Sequence, residues 1–195
     1  MTVRAAVGQQ AIVDAARYEF AERGYSGASI RHIAQRAGLS LSALYYYYKG
    51  KQDLLAAILE ADQASYWGAC DQALAAASQD PADRLRALVT ATVHFRIEHP
   101  VKSNIVLSET RSLEPEHLER WHQRNDEASD RFRGIVEDGL EAGLFHTAYA
   151  EDARRAIIAM CNAIAQWYDV EGAVGVDELV ERYVALALTL VEYRP

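Results

Sequence analysis

The chain is poor in the residues that staple or punctuate a fold: two cysteines, Cys70 and Cys161, and four prolines, Pro81, Pro100, Pro115 and Pro195, in 195 residues. Two isolated cysteines make neither a disulfide framework nor a thiolate metal cluster, which suits a reducing compartment. No apolar run approaches the ~20 residues that span a bilayer, and the opening MTVRAAVGQQ lacks the apolar centre of a signal peptide. A soluble, cytoplasmic protein with no membrane association is expected. Alternating strand patterns, internal repeats and low-complexity segments are absent. So are a phosphate-binding glycine loop and any Ser/His/Asp or Cys/His grouping. No catalytic residue, metal ligand or cofactor is therefore expected.

What remains is helix. The prolines fall where helices begin or end, and apolar residues recur at helical spacing throughout. The pattern predicts helices from Lys51 to about Ala77, Asp80-Pro81 to His99, Val101 to Thr110, Pro115 to Ala142, Ala150 to Glu171 and Val176 to Tyr193. With three shorter ones before them, this is an all-α protein of about nine helices. Charge divides the chain. Residues 1–53 hold seven Lys or Arg against four acids, a net of +3, within a chain of net −8, so the acid lies beyond residue 53. A basic head on an acidic body is the expected distribution for nucleic-acid binding confined to the N-terminus.

The stretch Ser29 to Leu55, SIRHIAQRAGLSLSALYYYYKGKQDLL, carries the sharpest pattern. Ser29 can cap a helix whose apolar side is Ile30, Ile33, Ala34 and Ala37, and Gly38 is placed to end it in a left-handed conformation. Ser40 can cap a second short helix, Leu41 to Tyr47, in which Leu44 points inward while Ser42, Ala43, Tyr45 and Tyr46 face outward. That is a helix-turn-helix whose second helix suits the major groove of DNA.

These residues resemble the DNA-binding domain of TetR-type transcriptional regulators. Ser29, Ile33, Ala34, Ala37, Gly38, Ser40, Leu44, Tyr45, Tyr47, Lys51 and Leu54 fit that family's pattern, and so do Ile12, Ala15, Ala16, Phe20 and Gly24 in the preceding helix. Ser42 stands where the family usually has Gly, and Gly50 where it has Ser or Asn. The resemblance implies a helix-turn-helix domain over residues 1–53 and a helical effector-binding and dimerisation domain over residues 54–195. It also implies a homodimer on a near-palindromic double-stranded operator, and repression relieved by a small molecule. Ser42, Ala43, Tyr45 and Tyr46 are expected at the bases. Ser29, Tyr47, Lys51 and the amide of Ser40 are expected at phosphates, with Arg4 and Arg31 near the grooves.

In the body, apolar stripes on the last two helices exceed what one subunit buries. Ala153, Ala156, Ile157, Met160, Cys161, Ile164, Trp167 and Tyr168 form one; Leu179, Val180, Tyr183, Val184, Ala187, Leu190 and Val191, widened by Leu186 and Leu188, form the other. A four-helix bundle across a two-fold axis would cover them. Large side chains, namely Tyr66, Trp67, Phe95, Trp121, Met160, Trp167 and Tyr168, are candidates to line an apolar effector cavity, with Arg96, Asn104 and Arg111 as polar orienting groups. Glu109, Arg111, Leu113, Trp167 and Tyr168 are similar to a TetR subgroup regulating fatty-acid and steroid-ring breakdown, whose effectors are acyl-CoA thioesters. An apolar molecule with an anionic end is the expected ligand. The competing reading is a carboxylate metalloenzyme built on Glu114-x-x-His117 and Glu119-x-x-His122. It fails on geometry, because the two pairs sit on a single helix and point about 140° apart.

Overall fold

The computed structural model describes residues 3–195, without the side chains of residues 3–6 and 126–129. Among the described residues there are nine α-helices and no strand: α1 Val3–Gly27, α2 Ile30–Arg36, α3 Leu41–Tyr47, α4 Lys51–Ala76, α5 Pro81–Glu98, α6 Pro100–Glu109, α7 Pro115–Glu141, α8 Ala150–Trp167 and α9 Val176–Leu190. A single 3-10 turn, Thr110–Ser112, follows α6. The chain forms two compact units, one of residues 1–63 and 104–122, the other of residues 64–103 and 123–195. Their boundaries fall inside α4, α6 and α7, so three continuous helices run from one unit into the next.

The first unit is built on α1. Gly24 interrupts that helix at φ 65° and ψ 168°, a conformation open to glycine at little cost, and the kink turns the chain toward α2. The Tyr25 N–H freed there is taken by the Glu109 carboxylate at 3.2 Å. α2 ends at Gly38, φ 68°, where the Leu39 N–H reaches back to the Ala34 carbonyl at 3.0 Å. The core comprises Ile12, Ala16 and Phe20 of α1, Ile33 of α2, Leu44 of α3, Leu54, Leu55, Ile58 and Leu59 of α4, and Ile105, Leu113 and Trp121. Leu44 is wholly buried, which contributes about 2 kcal/mol and fixes which side of α3 faces out.

The second unit centres on α5, which packs against both α8 and α9, while these two pack on each other. Asp80 begins α5, its carboxylate accepting the N–H groups of Ala82 at 2.9 Å and Asp83 at 3.1 Å, and Pro81 occupies the first turn, where a missing N–H costs nothing. Leu85, Leu88, Val89 and Val93 of α5 meet Ile157, Cys161 and Ile164 of α8 and Leu179, Ala187 and Val191 of α9 in one core. At Gly139 a methyl group would sit 2.0 Å from Cδ2 of buried Phe145, so only glycine lets the ring lie against α7. α8 stops at Trp167, four residues short of the end predicted from periodicity. Tyr168 turns extended, at φ −72° and ψ 129°, and its hydroxyl donates to the Val174 carbonyl at 3.0 Å, a tertiary bond that periodicity does not reveal. Among the described residues, no helix is long and apolar enough to cross a membrane.

Candidate nucleic-acid interface

α3 presents a short outward face on a rigid support. The Ser40 hydroxyl accepts the Ala43 N–H at 3.1 Å and lies 3.0 Å from the Ser42 hydroxyl, closing the first turn. Ser42, Tyr45 and Tyr46 are exposed, Tyr46 by 82 %, whereas Ala43 is half-buried. A tyrosine so exposed without a packing partner in its own core is available to stack on or bond to a base edge. Tyr47 is half-buried and meets Tyr46 edge-on, ring centres 5.2 Å apart. Ser29 occupies the cap position of α2 in extended conformation, but its hydroxyl makes no cap bond, contrary to the expected capping role. The helix start is instead shaped by backbone geometry, and the hydroxyl stays available.

The basic residues of the head divide into two groups. Arg17 pairs with buried Asp62 through two hydrogen bonds and with Asp14 at 3.3 Å. Arg23 and Arg36 converge on buried Glu19, at 3.4 Å and 3.1 Å, and Arg36 also stacks on the Tyr18 ring. Lys51 donates to the carbonyls of Tyr25 at 2.7 Å and Ala28 at 2.9 Å and sits 4.2 Å from the Tyr25 ring centre. Its desolvation lowers its pKa from the ordinary lysine value. Two of its three N–H donors thus hold the end of α1, which leaves one for a phosphate. Arg31 and Lys49 are exposed. Lys49 was not singled out from the sequence, although the run Lys49-Gly50-Lys51 carries the signal. Arg4 falls outside the described side chains.

Around this head the 104–122 segment forms a clasp. Gln52 donates to the Ser112 carbonyl at 2.8 Å and accepts the Glu114 N–H at 3.1 Å. Glu109 takes the Ser112 hydroxyl at 3.1 Å besides the Tyr25 amide. Glu109, expected from resemblance to mark an effector-responsive motif, therefore anchors the kink of α1. His117 takes a hydrogen bond from Arg120 at 2.7 Å and faces Asp53 at 3.4 Å. Among the described residues, no three His, Cys, Asp or Glu side chains converge as a metal site would require.

The ten candidate effector residues are divided between the units. Tyr66, Trp67, Phe95, Arg96, Met160, Trp167 and Tyr168 belong to the second, whereas Asn104, Arg111 and Trp121 belong to the first. Tyr66, Trp67, Phe95 and Arg96 are buried together: the Tyr66 ring lies 4.5 Å from that of Trp67 and 5.3 Å from that of Phe95, with the Arg96 guanidinium 4.2 Å above it. Met160 packs at the edge of this core. Trp167 is 53 % exposed at the end of α8, edge-on to Tyr168, so the interior of its own unit does not enclose it. Arg111 is exposed and Trp121 is core of the first unit. A groove of 550 Å³ between α4 and α5 includes Phe95, together with Ser65, Gly68, Gln72, His94 and His99.

Residues 12–58 match the bacterial regulatory proteins of the tetR family, and residues 78–191 match the tetracyclin repressor-like C-terminal domain. The chain belongs to the TetR family. It is a DNA-binding transcriptional regulator and not an enzyme. It is similar to the HTH-type transcriptional repressor KstR2 of Rhodococcus jostii, at 26% identity over 91% of this chain and 87% of that one. A tetR-family regulatory protein from Rhodococcus RHA1 superposes with TM-score 0.88 at 30% identity, covering 96% of this chain and 98% of that one. The fold is also that of AibR in complex with isovaleryl coenzyme A and operator DNA, with TM-score 0.85 at 19% identity over 96% of this chain and all of AibR.

Proposed function

We propose that this TetR-family regulator is a homodimeric repressor that holds a near-palindromic operator through two copies of α3 and releases it on binding a small amphipathic anion. In this reading residues 1–53 form the DNA-binding part and residues 54–195 the effector-binding and dimerisation part. The observation that carries it is the exposed face of α3, Ser42, Tyr45 and Tyr46, set on a core that buries Leu44 completely. Such a face on a short, capped helix is left outside the core and suits base edges. Ser29, Tyr47, Arg31, the spare donor of Lys51, and Lys49 are the phosphate ligands that would fix its register.

The dimer reading rests on what α8 and α9 leave uncovered. Leu186 is 51 % exposed, and Val180, Tyr183, Val184 and Leu188 are only half-covered by their own subunit. A second copy supplying the same two helices would cover this face symmetrically. For the effector, the aromatic cluster of Tyr66, Trp67 and Phe95 offers an apolar surface, and the AibR complex with isovaleryl coenzyme A favours an acyl-CoA thioester or related acid, while the name of KstR2 favours repression. Release by ligand requires that the ligand favour the arrangement that cannot hold DNA, since equal affinity for both arrangements shifts nothing.

Fluorescence anisotropy on labelled promoter fragments flanking the gene tests this. The protein is expected to bind one fragment with a steep salt dependence and to leave it on addition of an amphipathic acid or its CoA thioester, with decanoate, decanoyl-CoA and the CoA monothioester of decanedioic acid as probes. No retention of any flanking fragment at 50 mM salt would refute the operator reading, and retention unaffected by these probes and by a panel of short, long and ring-derived CoA thioesters would refute the effector class.

A further inference from the structure

Every buried carboxylate among the described residues has an arginine partner: Asp62 has Arg17, and Glu19 has Arg23 and Arg36. The one buried arginine among them lacks the converse. Arg96 is 4 % exposed in the core of the second unit. Its Nε donates to the Asn162 side-chain oxygen at 3.2 Å and its Nη1 to the Ser103 hydroxyl at 3.2 Å, and it also faces the rings of Tyr66 and Phe95 and the thiols of Cys70 and Cys161. All are neutral, and no carboxylate among the described residues pairs with it. An ion held this deep without a counter-ion is costly, and burial alone draws its pKa below the ordinary arginine value.

The same core holds one unmet donor. The indole Nε1–H of Trp67 is buried with no acceptor, on a ring 4.5 Å from that of Tyr66. That N–H stands without a partner in a native interior where buried N–H groups are ordinarily all paired. An acceptor from outside the chain would complete the indole N–H, and a negatively charged one would also offset the buried guanidinium, which no carboxylate among the described residues does. The planar fork of a guanidinium matches a two-oxygen anion, and the aromatic surroundings exclude a bulky, multiply charged group such as a CoA diphosphate.

We propose that Arg96 is the anchor for the carboxylate of an amphipathic acid, assisted by the Trp67 indole, with the hydrocarbon of the ligand on Tyr66 and Phe95. The proposal rests on the reading of residues 54–195 as effector-binding and sharpens it: the charge that enters the interior is a carboxylate, and any CoA moiety stays outside. The same chemistry arises from a free fatty or ring acid or from an acyl thioester with a carboxylate at its far end.

Thermal unfolding of the full chain tests this with four probes: decanoate, 1-decanol, decanoyl-CoA and the CoA monothioester of decanedioic acid. The wild type is expected to gain several degrees from decanoate or from the decanedioic monothioester, whichever is the true source, and nothing from 1-decanol. Arg96→Met is expected to lose that gain while its unliganded midpoint stays level or rises, because an unpaired buried charge has been removed. Arg96→Lys, which keeps the charge but not the fork, is expected to retain part of the response at about tenfold weaker affinity. A ligand-free Arg96→Met that fails to fold or melts well below the wild type marks Arg96 as structural and overturns the proposal. Equal gains from 1-decanol, or gains that survive in Arg96→Met, overturn it too. Should decanoyl-CoA stabilise wild type and Arg96→Met alike, the effector reading stands and the Arg96 assignment falls; should no probe stabilise the wild type, both fall.

Discussion

The two compact units treat buried charge in opposite ways. In the first, carboxylates at Glu19 and Asp62 are paired with arginines from neighbouring turns and helices, so α1, α2 and α4 are tied together by ion pairs within the chain. In the second, a guanidinium rests on neutral acceptors and aromatic rings, and an indole N–H of the same core has no partner among the described residues. The difference is what the proposed reading, a DNA reader joined to an effector receptor, requires. A helix that reads a groove must be held to within a fraction of a turn, whereas a receptor must keep part of its bonding capacity unspent until a ligand supplies it.

The largest expected effect is on the apolar face that the second unit leaves open. Val184→Glu or Leu188→Glu would put a carboxylate into the proposed dimer contact at a cost of several kcal/mol. Sedimentation velocity at micromolar concentration is expected to show a monomer or a misfolded chain where the wild type is a dimer; a monomeric wild type would end the dimer reading. Next comes the closed pair of the first unit. Asp62→Asn removes one partner of a buried ion pair and is expected to cost about 3 kcal/mol in urea unfolding. Arg96→Met, breaking no ion pair, should cost nothing by the same assay, and a loss under about 1 kcal/mol for Asp62→Asn would dissolve the contrast.

Smaller effects sharpen the account of α3. Ser40→Ala deletes the bond to the Ala43 amide and is expected to cost about 1 kcal/mol of stability, with weaker binding to every operator variant. Tyr46→Ala, at a position with almost no packing, should leave the melting midpoint unchanged and alter which sequences bind in a randomised-operator selection. Lys49→Ala should reduce the dependence of log affinity on log salt by about one phosphate's worth, uniformly across sequences. An unchanged sequence preference in the first, or an unchanged salt slope in the second, would remove that residue from the interface.

Much of the head was legible because its signals are local. The helix ends at Gly38 and Ser40 and the inward turn of Leu44 follow from positions a few residues apart, and the prolines at 81, 100 and 115 mark where α5, α6 and α7 begin. What stayed hidden was set by distant partners. Glu109 resembled an effector-responsive motif, yet its carboxylate is bound to an amide 84 residues earlier in the chain. Lys51 looked like a plain phosphate ligand until two carbonyls at the end of α1 took most of its donors. The ten candidate effector residues were grouped by chemical type, and type carries no address: Trp121 is core of one unit while Tyr66, Trp67 and Phe95 are core of the other. That no carboxylate among the described residues pairs with Arg96 is a property of three dimensions, invisible in a chain with 28 acids.

The most direct test of the whole account is operator release measured by anisotropy on the flanking fragment that the wild type retains. With decanoate, decanoyl-CoA and the decanedioic monothioester each at a hundredfold excess, the account predicts that at least one raises the apparent Kd tenfold or more in the wild type. A Kd unmoved by all three, on a fragment that Tyr46→Ala fails to hold, would contradict it, leaving a DNA-binding regulator whose body does not take this class of ligand.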